Sequence, residues 1–318
     1  MMNIEDVRAA ATRIADHVHR TPVLTSTALD ETSGRKLFFK CENFQRVGAF
    51  KIRGACNALL QIPEPDLPVG VVTHSSGNHA QGVALAARLR GIPAYIVMPN
   101  NAPAVKKAAV AGYGAKIFEC APTLKAREAT AAAIQRETGA TFISPYDHPH
   151  IIAGQGTAAL EFVEEVPNLD VLLAPVGGGG LLSGTCLVAA AHKIPVYGAE
   201  PAGADDAARS FAAGERIMQT GPDTIADGLL TSLGDLTWPV IRDGVAGIIT
   251  VRDDEIIAAL RLVWERMKIV IEPSAAVAVA AAVSADFKSR LNYQRVGIIL
   301  SGGNVDLARC AAWFGPAN

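Results

Sequence analysis

Short apolar runs alternate with longer Ala-rich stretches along most of this chain of 318 residues. The runs are LFFKCE (37–42), GVVTHS (70–75), AYIVMP (94–99), KIFEC (116–120), TFISP (141–145), VLLAPVG (171–177), VYGAEP (196–201), GIITV (247–251) and VGIILSG (296–302). Each reads as a strand, and the stretches between them read as helices. Strands that are apolar on both sides must be covered on both faces. The alternation therefore predicts an α/β architecture of parallel sheets between helical layers. Four of the strands, from Val71 to Pro145, lie between two Pro-rich joints, IPEPDLPVG (62–70) and SPYDHPH (144–150). That block, residues 67–147, reads as a smaller domain inserted in a larger one made of 1–66 and 148–318. The run AAVAVAAAV (275–283) is too short to span a membrane and reads as a buried helix.

Length adds to this picture, because 318 residues exceed the usual size of one core and favour two lobes. Charge removes some function classes. Lys and Arg number 29 against 31 Asp and Glu, with no basic tract, so neither nucleic acid nor a membrane surface is an expected partner. The opening MMNIEDVRAAATRIADHVHR carries acidic residues at helical spacing and lacks the pattern of a signal peptide. Cys41, Cys56, Cys120, Cys186 and Cys310 are scattered without a CxxC pair, which suggests reduced thiols in a cytoplasm.

In open parallel sheets, ligands bind at the carboxyl ends of strands, so the turns there carry the candidate chemistry. VGAFKIRGA (47–55) puts Lys51 at a helix start, after Phe50 and near Arg53. Desolvation, a neighbouring positive charge and the helix dipole would each favour a neutral amine, the form that attacks a carbonyl. SSGNHAQG (75–82) opens a helix with more hydroxyls than a cap requires and suits an anion. PVGGGGLLSG (175–184) sets Gly177 to Gly180 between a strand and a helix, the arrangement of a phosphate cradle. It is neither a GxGxxG fingerprint, since Leu182 or Ser183 stands at the third Gly, nor a Walker loop. SGGNVD (301–306) repeats a hydroxyl and two glycines at a strand end. In YGAEPAGADD (197–206), Glu200, Asp205 and Asp206 are ligand types for Mg²⁺ or Ca²⁺, although alone they read as a solvated acidic turn. His17, His19, His148 and His150 lack partners at zinc spacing and read as structural.

A lysine nucleophile, a phosphate cradle and a second anion site suggest an aldehyde cofactor bearing a phosphate, held as a Schiff base beside an amino-acid carboxylate. That is pyridoxal phosphate chemistry. AFKIRGA, SSGNHAQG, IAGQGTAALE (152–161), VGGGGLLSG and SGGNVD together resemble the motif set of the fold-type II pyridoxal-phosphate enzymes, two-lobed and tryptophan synthase β-like. Within that group they are similar to the branch of serine/threonine dehydratases and serine racemases, which includes 3-hydroxyaspartate dehydratases. The motifs keep the family's order along the whole chain.

The resemblance implies roles for particular residues. Lys51 would carry the cofactor and take the substrate's α-proton. Phe50 would pack on the cofactor ring and Asn78 would bond its hydroxyl. Gly177, Gly178, Gly179 and Gly180 would hold the phosphate, and Ser301 would meet the pyridine nitrogen. Ser75, Ser76, Asn78 and His79 would bind the substrate, with Ser76 the opposite-face base of a racemase. Glu200, the Ala204 carbonyl and Asp206 would bind Mg²⁺, Mn²⁺ or Ca²⁺. Arg127 would take a second substrate carboxylate, and Thr231 would line the β-substituent pocket. Tyr146 stands where the mammalian-type racemase pattern has a smaller polar side chain. The activity implied is elimination from L-serine, L-threonine or 3-hydroxyaspartate to a 2-oxo acid and ammonia, by a homodimer, with serine racemisation as the alternative. A cysteine-synthase-like β-replacement enzyme is another reading, and it would not need Glu200 and Asp206.

Overall fold

A computed structural model describes residues 2–75, 77–102, 104–290 and 292–315. Its ten strands are β1 (Val23–Thr25), β2 (Lys36–Cys41), β3 (Val71–His74), β4 (Ala94–Pro99), β5 (Lys116–Cys120), β6 (Thr141–Phe142), β7 (Val171–Pro175), β8 (Val196–Pro201), β9 (Gly247–Val251) and β10 (Arg295–Leu300). They form a six-stranded sheet in the order β1-β2-β10-β7-β8-β9 and a four-stranded sheet in the order β5-β4-β3-β6. Every neighbouring pair is parallel except β1 on β2, an antiparallel edge. β1 follows Pro22 and is three residues long, too short to show a pattern in the sequence. The TFISP run pairs only over Thr141–Phe142, because the chain turns away at Ser144 to Asp147.

Helices cover both faces of the large sheet. In Pro273–Val283 every residue from Pro273 to Ala282 is buried, which is why that helix has no polar face. On the other side the helices Pro149–Glu165 and Gly180–His192 touch backbone to backbone: a Cβ on Gly184 would lie 2.5 Å from the Gly156 nitrogen. The same long helix meets Lys51–Leu59, where a Cβ on Gly154 would lie 2.6 Å from the Gly54 Cα. Among the described residues no helix is long and apolar enough to cross a membrane.

The close approach at Gly154 brings Arg53 to a buried ion cluster. Its guanidinium binds Glu42 at 2.7 and 2.9 Å and Glu161 at 2.7 and 2.9 Å. Lys40 Nζ reaches Glu161 at 2.7 Å and donates to Thr21 O at 2.7 Å. Arg53, Lys40 and Glu42 are fully buried, so only mutual neutralisation makes the cluster tolerable. This corrects the expectation that Arg53 crowds Lys51 with positive charge. Arg53 points into two carboxylates, and the charge that acts on Lys51 is that of Glu272.

Candidate active site

The carboxyl ends of β3, β7 and β10 supply the Ser75–Asn78, Gly177–Gly180 and Ser301–Asn304 segments, and Lys51 completes the group. Lys51 opens its helix behind an unusual turn. Val47 has φ +57° and Gly48 φ +68°, and a β-branched residue in the left-handed region is strained. Asn304 holds that turn by donating Nδ2 to Val47 O at 2.6 Å. Gly303 N donates to Gly48 O at 2.9 Å, and Phe50 N to Ser301 O at 3.1 Å. The turn before Lys51 is thus zipped against the segment that starts with Ser301. Lys51 Nζ donates to Pro145 O at 2.8 Å and lies 5.0 Å from the centre of the Phe50 ring. Burial lowers the Lys51 pKa to about 8, against the opposing pull of Glu272.

Asn78 donates Nδ2 to the Glu272 carboxylate at 2.9 and 3.1 Å and accepts from Asn304 Nδ2 at 2.9 Å. Glu272 is buried, which raises its pKa to about 7 although Asn78 and the Asn304 N–H favour the charged form. His79 is buried with Nε2 3.2 Å from Ile143 O. Burial first, and Lys51 second, lower its pKa to about 3, so the ring is neutral. Among the described residues the helix that begins at Asn78 has no side-chain cap, and the Ser75 hydroxyl accepts from Gly77 N at 3.2 Å. Ser76 lies outside the described residues. Glu272 and Asn304 are participants that the sequence reading missed. Glu272 did leave a trace: it is a single acid at the mouth of an otherwise apolar run, VIEPSAAVAVAAAV.

Gly177 to Gly180 are buried, and Gly179 has φ +90°. Among the described residues, none of their N–H groups has an acceptor. The ring of Tyr146 occupies the space where a Cβ on Gly178 would be, and a Cβ on Gly180 would lie 3.1 Å from the Tyr146 Cα. Buried N–H donors without partners are rare, and at a helix start they form an anion site. With an amine at Lys51 and a hydroxyl at Ser301, this donor set fits pyridoxal phosphate.

A second cluster lies at the start of helix Asp206–Ala213. Glu200 is fully buried and accepts from Ala207 N at 2.9 Å and Ala208 N at 2.8 Å. Burial, then the neighbouring Asp206 and Asp205, raise its pKa to about 8. Asp206 is buried with its pKa raised to about 6, chiefly by burial. Its Oδ2 accepts from Leu233 N at 3.2 Å, whereas its Oδ1 is buried without a partner. Ala204 closes the short turn between them. Asp205 pairs instead with Arg209 at 2.7 Å. Two crowded carboxyls and an orphaned oxygen suit a hard divalent cation. Among the described residues no group of three or more His, Cys, Asp or Glu could hold a metal, so a carbonyl and water would have to complete such a shell.

Arg127 sits in the first turn of helix Leu124–Thr138 with its Nε buried and, among the described residues, without a hydrogen-bond partner. It faces His74, whose pKa falls through burial and then through Arg127. Thr231 is half-buried, two residues before Leu233, whose N–H bonds Asp206. The histidine pairs are structural: His19 packs Nδ1 3.2 Å from Phe44 O, and His148 Nδ1 accepts from His150 N to cap a helix.

A fold of two predominantly parallel sheets with a half-buried lysine and a buried glycine turn beyond a strand's carboxyl end has the layout of a pyridoxal-phosphate enzyme. The model of the family described as pyridoxal-phosphate dependent enzyme matches residues 14–302, and the chain belongs to that family. It is similar to the serine racemase of Dictyostelium discoideum, 50% identical over 311 residues and 96% of each chain. It is equally similar to the β-hydroxyaspartate dehydratase of Paracoccus denitrificans, 50% identical over 305 residues, 95% of this chain and 96% of that one. The structure of maize serine racemase superposes with a TM-score of 0.96 at 49% identity, covering 98% of this chain and 96% of the other.

Proposed function

We propose that this chain is a dehydratase that releases a 2-oxo acid and ammonia from L-serine, L-threonine or 3-hydroxyaspartate. One observation carries the reading: the Lys51 amine is held on Pro145 O with a pKa near 8, and the next residue, Tyr146, packs on buried glycines whose N–H groups have no acceptor among the described residues. Bound pyridoxal phosphate supplies an aldehyde that takes amines covalently and a ring that accepts the electron pair released at the substrate α-carbon. Lys51 would hold the cofactor and, as a free amine, would take the substrate's α-proton at Nζ. Its lowered pKa leaves a sizeable neutral fraction near neutrality, as a general base requires. Asn78, oriented by Glu272 and Asn304, would bond the ring hydroxyl, and Phe50 would pack on the ring. Ser301 would meet the ring nitrogen with a hydroxyl. A hydroxyl cannot keep that nitrogen protonated, and a weaker electron sink favours loss of a β-hydroxyl over transamination. The Ser75 hydroxyl and the backbone N–H groups of Asn78 and His79 would suit the substrate carboxylate at the helix start, since the neutral His79 ring is engaged with Ile143 O.

Glu200, the Ala204 carbonyl and Asp206 would hold Mg²⁺, Mn²⁺ or Ca²⁺; the support is the orphaned Asp206 oxygen between crowded carboxyls. Arg127 would take the second carboxylate of 3-hydroxyaspartate; the support is its unpartnered Nε and the named activity of the Paracoccus relative. A second reading, serine racemisation, is favoured by the names of the Dictyostelium and maize relatives and would use Ser76 as the second base. A homodimer belongs to either reading, and sedimentation would check it.

The test is 2-oxo acid release from L-serine, L-threonine, D-serine and both 3-hydroxyaspartate diastereomers, with Mg²⁺ and with EDTA, while serine chirality is followed. Elimination faster than inversion supports the dehydratase. Inversion faster than elimination, lost in Ser76→Ala, makes the racemase reading the correct one. Release unaffected by EDTA removes the metal assignment.

A further inference from the structure

The cradle glycines carry no side chains with which to fix their own orientation, so the fixing must come from outside the loop. Thr237 is fully buried, donates from Oγ1 to Gly178 O at 2.8 Å and accepts from Gly234 N at 2.8 Å. It stands at the start of helix Thr237–Gly244, and that start is capped across the chain by Asp147. The Asp147 carboxylate accepts from Asp235 N at 3.0 Å, Leu236 N at 2.8 Å and Thr237 N at 3.1 Å. Asp147 directly follows Pro145, whose carbonyl holds Lys51, and Tyr146, whose ring lies on Gly178.

The geometry of one peptide then decides what these bonds do. In a planar trans peptide, the C=O of Gly178 and the N–H of Gly179 point in opposite directions. Drawing Gly178 O toward Thr237 therefore turns the Gly179 N–H away from Thr237. Gly179 can follow because it has no side chain: at φ +90°, a Cβ there would lie 2.9 Å from the Thr237 Cβ and 2.7 Å from Ile241.

We propose that Asp147 and Thr237 are positioning residues for the cofactor phosphate. They orient the Gly178–Gly179 peptide and so set the donors that receive the anion. The inference rests on reading Gly177 to Gly180 as the phosphate cradle, and the test separates the two.

The cofactor-free chain is titrated with pyridoxal phosphate and with pyridoxal, which has the aldehyde but no phosphate, and binding is read from absorbance. Asp147→Ala and Thr237→Val should each lower the ratio of the two affinities about ten-fold, the size expected when one hydrogen bond to an ion is misaligned. Pyridoxal affinity itself should stay at the wild-type level. A purely structural defect would weaken both ligands together and leave the ratio intact, which would overturn the proposal. If Thr237→Val fails to fold, Asp147→Ala carries the test, since Asp147 is partly exposed. Gly179→Ala is the reference variant. Loss of the ratio in Gly179→Ala but not in the other two leaves the cradle standing and removes only the positioning role. Retention in all three removes the cradle reading itself.

Discussion

Arg53→Met tests whether the ion cluster behind Lys51 is as tightly balanced as its geometry indicates. Arg53 donates to Glu42, Glu161, Thr157 and His19 O, and Lys40 supplies the second positive charge. The two cations and two carboxylates sum to zero. Methionine fills much of the space but leaves Glu42 and Glu161 to share Lys40. Removing one partner of a buried ion pair costs about 3–5 kcal/mol. At about 2.1 cal/mol/K per residue, unfolding 318 residues carries roughly 0.7 kcal/mol/K, so a loss of about 4 kcal/mol lowers Tm by about 6 °C.

The pH dependence has a definite sign. Burial pushes the Glu161 carboxyl up, but Arg53 and Lys40 outweigh it and hold the pKa below the usual value. In the wild type this stabilises the fold above the unfolded carboxyl pKa, and the contribution fades in acid. In Arg53→Met, burial prevails and the folded pKa rises above the unfolded one. The charged carboxylate then destabilises the fold near neutrality, and protonation relieves it as the pH falls. Calorimetry of the cofactor-free chain should find the Tm deficit largest at pH 8 and smaller at pH 5. A deficit below about 2 °C, or one equal at both pH values, would refute the reasoning.

Three other outcomes are expected. Lys51→Ala should give no violet-absorbing, borohydride-sensitive cofactor adduct, and turnover should fall by at least about 10²–10⁴-fold, the span of a lost acid–base group; a normal spectrum would contradict the assignment. Glu272→Gln removes the carboxylate that raises the Lys51 pKa, so the pH midpoint of cofactor capture by the apo chain should fall below about 8, and a midpoint that stays or rises would be inconsistent with their coupling. Mg²⁺ at 100 times its Kd should stabilise the wild type by about 2.7 kcal/mol and Asp206→Ala not at all; equal thermal shifts would place the ion elsewhere.

The parts of this molecule that were legible beforehand are those written in local sequence. AYIVMP, KIFEC, VYGAEP and GIITV form strands with the boundaries expected, because each is a short run rich in β-branched, aromatic or other apolar residues between helical stretches. Gly177 to Gly180 and Lys51 stood out as candidates through residue types that a plain loop or surface helix does not need, and the roles given to them are proposals. The network around them was not legible. Asn78 and Glu272 are 194 positions apart, and Arg53 and Glu161 are 108. No local pattern encodes such pairs, and the charge next to Lys51 was therefore assigned to Arg53, the nearer residue in sequence, when Glu272 is the one that acts on it. Asp147 escaped notice for the same reason, since the three N–H groups it accepts from lie 88 to 90 positions away.

The order of strands in the large sheet has a consequence for the birth of the protein. β10 lies between β2 and β7, so the last strand synthesised fills the centre of the sheet. About 120 residues separate the end of β7 at Pro175 from the start of β10 at Arg295, roughly 6–24 s of translation. During that interval β2 and β7 each present an unpaired apolar edge, the kind of surface that joins to other chains. The same arrival brings Ser301 and Asn304 to the turn before Lys51. Sheet closure and assembly of the site are therefore one event. A chain that stops short of residue 295 lacks both the strand that joins β2 to β7 and the Gly303 and Asn304 bonds to the Val47–Gly48 turn, so the sheet edge and the lysine turn are left open together.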